Sequence, residues 1–123
     1  MGGRSLENRR SLLQRIVRYE LPIEDSIAML RAYGWDSDGE LVVLAAEDAR
    51  RILERYLAGE LSARQVEYWA ELLELRDDVG FEERWEREIR HAISVLANPD
   101  VNGALSPASA IRLRRLLAGE DPA

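Results

Sequence analysis

From Ser62 to Leu75 the chain carries apolar side chains at almost every helical position except one narrow arc. Val66, Trp69, Ala70 and Leu73 recur at the three- and four-residue steps that share a helix face, and Tyr68, Leu72 and Leu75 widen that face. Glu67, Glu71 and Glu74 occupy the arc that is left. Such a helix must be covered by other elements on most sides, with a strip of carboxylates facing water. Ser62 and Gln65 mark its start as a capping box: the hydroxyl accepts a free helix N–H while the amide reaches back.

The rest of the chain reads as the covering helices. Leu6 to Tyr19 predicts a first helix with Leu12, Leu13, Ile16 and Val17 inward, Ser5 as its cap, and Arg9, Arg10, Arg15 and Arg18 outward. Leu21-Pro22 breaks it, and Pro22 suits the first turn of a second helix with Ile23, Ile27, Leu30 and Tyr33 on its face and Gly34 at its end. Trp35 to Glu40 reads as a loop, and Leu41-Val42-Val43-Leu44 as an extended buried connector. A third helix follows over Ala46 to Ala58, with Ala49, Ile52, Leu53, Tyr56 and Leu57 inward and Gly59 closing it. Beyond the central helix, Asp77-Asp78-Val79-Gly80 predicts a turn. The fifth helix spans Glu82 to Ala97, with Trp85, Ile89, Ala92, Ile93 and Leu96 inward, until Asn98-Pro99 stops it. Asp100 to Leu105 reads as a loop, and Ser106-Pro107 starts a last helix with Ile111, Leu113, Leu116 and Leu117 apolar, ending at Gly119. The expected fold is all-α: one compact helical domain over 1–123, with about six amphipathic helices, a core over 5–118 and frayed ends at 1–4 and 119–123.

The absence of cysteine excludes disulfides, a thiol nucleophile and thiolate metal sites. The polar, basic Met1 to Arg10 stretch lacks the apolar core of a signal peptide, and Leu6 stands where a myristoylation motif needs Ser or Thr. No apolar run approaches membrane-spanning length, so the expected location is the cytoplasm, with no membrane partner. All seventeen basic residues are arginine, which fits a GC-rich coding bias. The net charge is −6, and Glu67 to Glu88, with nine acids against three arginines, accounts for all of it. An acidic surface repels phosphate backbones and favours basic partners.

Four candidate sites compete with plainer readings. The acidic strip reads either as a docking surface for a basic protein or as a solvated helix face steadied by pairs such as Glu83 with Arg87. A helix-turn-helix reading of the third and fourth helices fails on charge, since the recognition helix presents Glu67, Glu71 and Glu74 to DNA, so no nucleic acid is expected. Asn98 to Ser109 places Asn98, Asp100, Asn102 and Gly103 as in a calcium loop, but Ser109 stands where a bidentate glutamate belongs, so neither metal nor other cofactor is expected. His91, the only histidine, follows Glu88 by three residues and Arg87 by four. It lacks a partner nucleophile or second metal ligand, which favours a helix-surface contact over catalysis. Trp69 and Trp85 read as core anchors, and Trp35 as either core or interface.

Arg55-Tyr56-Leu57-Ala58-Gly59-Glu60-Leu61-Ser62, Val66-Glu67-Tyr68-Trp69-Ala70 and Glu74 to Glu82, with Leu96-Ala97-Asn98-Pro99 and Leu105-Ser106-Pro107, resemble small, acidic, all-helical bacterial immunity proteins of toxin–immunity pairs, including contact-dependent growth inhibition. The likeness covers roughly Leu44 to Leu117 and departs at Glu71, where such proteins commonly carry Asn. The resemblance implies a non-enzymatic inhibitor that binds and neutralises a cognate toxin, commonly a basic nuclease domain. The expected contacts are Glu67, Glu71, Glu74, Asp77, Asp78, Glu82 and Glu83. The alternative is a non-catalytic adaptor or regulatory domain that binds another protein. A ligand-sized cavity around His91 and Glu88 is the feature that would favour a small enzyme instead.

Overall fold

A computed structural model describes residues 2–20, 23–31, 42–74, 76 and 78–120, with backbone alone at 2–8, 30 and 31. The order of elements is α1 (Gly2–Val17), α2 (Ile23–Arg31), β1 (Val42–Leu44), α3 (Ala46–Leu57), α4 (Ala63–Glu74), β2 (Val79–Phe81), α5 (Glu86–Ala97), α6 (Pro99–Asn102) and α7 (Pro107–Leu117), with a 3-10 turn over Glu83–Trp85. The protein is an all-α bundle with one small strand pair. Trp35 to Glu40, Tyr33, Gly34, Leu75 and Asp77 lie outside the described residues.

The pattern of apolar residues builds the core as expected. Val66, Trp69, Ala70 and Leu73 of α4 are buried, and the Trp69 indole N–H donates to the Val17 carbonyl at 3.1 Å. That bond lets a large ring sit inside without leaving its one polar atom unpaired. Ile52 and Leu53 of α3, Ile89 and Ile93 of α5, and Leu113 and Leu117 of α7 join the same cluster, with Leu12, Leu13, Ile16 and Val17 of α1. α4 packs chiefly on α5 and α3 on α7, whereas α5 and α7 touch far less.

Helix ends follow local chemistry. The Ser62–Gln65 box forms in both directions, at 2.8 and 3.1 Å. Ser106 and Ser109 make the equivalent box at the start of α7. At the end of α3, Glu60 N–H bonds Arg55 O and Gly59 N–H bonds Tyr56 O, the Schellman pattern, with Gly59 at φ 85°. Tyr19 plays that part at the end of α1 with φ 51°, a conformation disfavoured for a residue with a Cβ. Its side chain is buried, and Arg55 donates to the Arg18 and Tyr19 carbonyls at 2.9 and 3.1 Å, so tertiary contacts hold the strained residue in place. The same pattern recurs at Gly119 and Glu120 at the end of α7.

Four expectations need correction, two of them helix bounds: α5 starts at Glu86 after a 3-10 turn rather than at Glu82, and Pro99–Asn102 is a short helix where a loop was expected from Asp100. Of the turn expected over Asp77 to Gly80, Asp78 is a turn, but Val79 and Gly80 belong to a strand, Val79–Phe81, that pairs in parallel with Val42–Leu44 in the register Val42 with Val79, Val43 with Gly80 and Leu44 with Phe81. The strands are three residues each and 37 apart in sequence, so neither shows a period-2 pattern long enough to read. α1 begins at Gly2, so Ser5 lies inside the helix instead of capping it. No helix among the described residues is long and apolar enough to cross a membrane.

Candidate protein-binding face and the α5–α7 cleft

The row of acids expected along α4 and the following corner does not form as one exposed strip. Asp78 is fully buried. The Arg76 guanidinium grips it bidentately, Nε to Oδ1 at 2.8 Å and Nη2 to Oδ2 at 2.6 Å, and Arg9 Nε reaches Oδ2 at 3.0 Å. Arg9 was expected outside but is itself 7% exposed. Burial alone would raise the Asp78 pKa, but the Arg76 and Arg9 hydrogen bonds and charges outweigh it and hold the carboxyl below its ordinary value. This residue locks α1 to the β2 corner and has no surface to offer a partner.

Glu82 and Glu67 are half-buried and committed to backbone groups. Glu82 Oε1 accepts from Ala46 N–H at 3.0 Å. Ala45 precedes α3 without a side chain able to cap it, so Glu82 and Asp48, which accepts from Ala45 N–H at 2.9 Å, satisfy two of the free donors at that helix start. Glu67 Oε2 accepts from Leu105 N–H at 3.0 Å, pinning the loop before α7. Glu74 is exposed and touches Asn98 Nδ2 at 3.3 Å, a weak contact. Glu71 and Glu83 are exposed, and Asp77 lies outside the described residues. The expected Glu83–Arg87 pair is not among the described ion pairs; Glu86 with Arg90 and Glu47 with Arg51 are the one-turn pairs that form.

Tyr68 was expected inside, yet it is 40% exposed. It stands on α4 three residues before Glu71, so an exposed aromatic ring borders the exposed acids of the outer face. Sequence reading missed it because Tyr68 lies at the edge of the apolar arc, where a small rotation of the helix decides which side it meets. Trp85 is also only half-buried, under the Arg84 guanidinium at 5.6 Å.

The second feature is an open cleft of about 790 Å³ between α5 and α7. Helix α5 contributes Arg87, Glu88, His91 and Val95, and α7 contributes Ser109, Arg112, Leu113 and Leu116. Both sets follow one helical stripe, so the cleft is the seam where the two lightly touching helices diverge. A cavity does therefore lie beside His91 and Glu88. It holds no assembled nucleophile and base: among the described residues His91 has no hydrogen bond to a carboxylate or hydroxyl, and the Ser109 hydroxyl is committed to its capping box, donating to Ser106 O at 3.1 Å. The Asn98–Asn102 segment is a helical turn, and no group of three or more metal-ligating side chains occurs among the described residues. No protein-family model matches this chain, and no curated protein or solved structure matches it.

Proposed function

We propose that this chain is an immunity-type inhibitor that binds a cognate bacterial toxin domain and neutralises it through the outer face of α4. The observation that carries this reading is the exposed Tyr68 at the edge of an outer face that also exposes Glu71, three residues on, and Glu74. An aromatic side chain with one face in water supplies contact area at little entropic cost, and binding energy concentrates at such anchors. The carboxylates around it speed encounter with a basic surface and select against acidic partners. The inhibitor acts by occupancy, without chemistry of its own.

The test pairs this chain with the protein encoded beside it, which the proposal expects to carry a toxin domain. A 1:1 complex and protection of growth are expected, with association slowed by salt. Glu71→Arg should slow association about tenfold, and Tyr68→Ala should speed dissociation by a similar factor. Absence of protection, or association indifferent to both salt and Glu71→Arg, overturns the reading. The open α5–α7 cleft favours a second reading, a non-catalytic adaptor with two binding surfaces. It predicts a stable protein complex with no effect on toxin-limited growth.

A further inference from the structure

On a chain of net charge −6, the α5–α7 cleft reverses the sign: the guanidiniums of Arg87 and Arg112 line it against the single carboxylate of Glu88. Arg51, Arg55, Arg76 and Arg90 are all committed to carboxylates, whereas Arg87 and Arg112 make no ion pair among the described residues. Both are exposed, so their positive charge is available at the rim. Beneath them the lining is apolar: Leu113 is buried, and Val95 and Leu116 are half-buried, leaving hydrocarbon uncovered along the seam.

We propose that this cleft receives an acidic amphipathic peptide segment of a protein partner. Carboxylates of the segment pair with Arg87 and Arg112 while an apolar side chain covers Val95 and Leu116. A groove between two helices with an apolar floor and a charged rim suits a segment whose own apolar and charged side chains alternate at helical spacing. The open form argues against a small ligand, which needs most of its surface enclosed. Charge complementarity selects an acidic segment over a basic one, because a lysine entering here meets two guanidiniums that make no ion pair among the described residues. This inference concerns a surface distinct from the outer face of α4 and stands whether or not a toxin docks there.

The experiment titrates the isotopically labelled chain with a synthetic peptide of leucines at helical spacing flanked by glutamates, followed by amide resonances. A second peptide replaces every glutamate with lysine, and inorganic phosphate serves as a third probe. The acidic peptide should shift amides of His91, Arg112 and Leu116, and the lysine peptide should not. Arg87→Glu combined with Arg112→Glu should weaken binding at least about tenfold. Both side chains are exposed, so the fold should persist; a preserved helical spectrum checks this, and Arg112→Gln gives a milder variant if it does not. No shift at about 1 mM peptide overturns the proposal. So do shifts mapping outside the cleft, equal binding of the lysine peptide, or phosphate alone reproducing the whole pattern.

Discussion

At the corner after α4, the Asp78 carboxylate lies between two guanidiniums with none of its side chain in water. Within two turns of it on α4, Glu71 and Glu74 stand in solvent, where Asn98 is the one described contact of either side chain. In sequence these acids belong to one charged run. What separates them is what arrives from elsewhere: Arg9, 69 residues away, reaches Asp78, and Arg76 folds back onto it from two residues away. A carboxylate leaves water only where hydrogen-bonded cations replace its hydration, and a partly paired one would be costly. Negative charge in this chain therefore does two jobs: it fastens elements together at the corner, and it remains available on the outer face of α4.

The strongest way to break that contrast is Asp78→Ala. It leaves two arginines beside a buried site with no carboxylate, and breaking a buried pair by removing one partner costs about 3–5 kcal/mol. The urea midpoint should fall steeply, with α1 losing hydrogen-exchange protection first. A midpoint close to wild type would mean that Asp78 is no fastening at all.

The same contrast carries a pH signature. Asp78 has its pKa held below the ordinary 3.8, so its contribution to stability is fully present above that value and is lost as pH falls through the lower, folded-state value. Thermal unfolding of the wild type followed through acid should show a decline there, and the decline should be shallower in Asp78→Asn, which has no such group to protonate. Parallel curves for the two proteins would assign acid sensitivity to other carboxylates.

Glu82→Ala tests the weaker fastening at the start of α3. It removes the acceptor for Ala46 N–H, and loss of a helix cap costs about 1 kcal/mol. Glu82→Gln keeps an oxygen in reach and should recover much of the loss in chemical denaturation. If the two variants were equally destabilised, charge rather than the hydrogen bond would be what Glu82 supplies.

Much of the fold was legible because it is written in local spacing. The Ser62–Gln65 box, the inward Val66, Trp69, Ala70 and Leu73, and the left-handed Gly59 all follow from residues within one or two turns of one another. The β1–β2 pair and the Arg9–Asp78 bond were illegible for one reason: each joins residues far apart in the chain, and nothing in a short apolar run or a lone arginine names its distant partner. The candidate sites divide in the same way. Acidic composition pointed to α4 but did not distinguish Glu82, which caps another helix, from Glu71, which is exposed and has no partner among the described residues. His91 and Glu88 were visible as neighbours on α5, but the opposite wall of their cleft, with Arg112 and Leu116, comes from α7.

The smallest effect on stability is expected from Glu71→Arg, and that smallness is what sharpens the comparison. Glu71 is exposed and makes no described hydrogen bond or ion pair, so reversing its charge disturbs neither packing nor a cap. Substitutions at such positions rarely change stability appreciably, and the melting temperature should stay within about 2 °C of wild type. The same substitution is the one expected to slow association with a basic partner. A side chain that is silent in folding yet decisive in encounter is held for something outside the chain, whereas Asp78, decisive in folding, is held for the chain itself. A large loss of stability in Glu71→Arg would place that carboxylate with the fastenings and remove the outer face of α4 as the proposed point of contact.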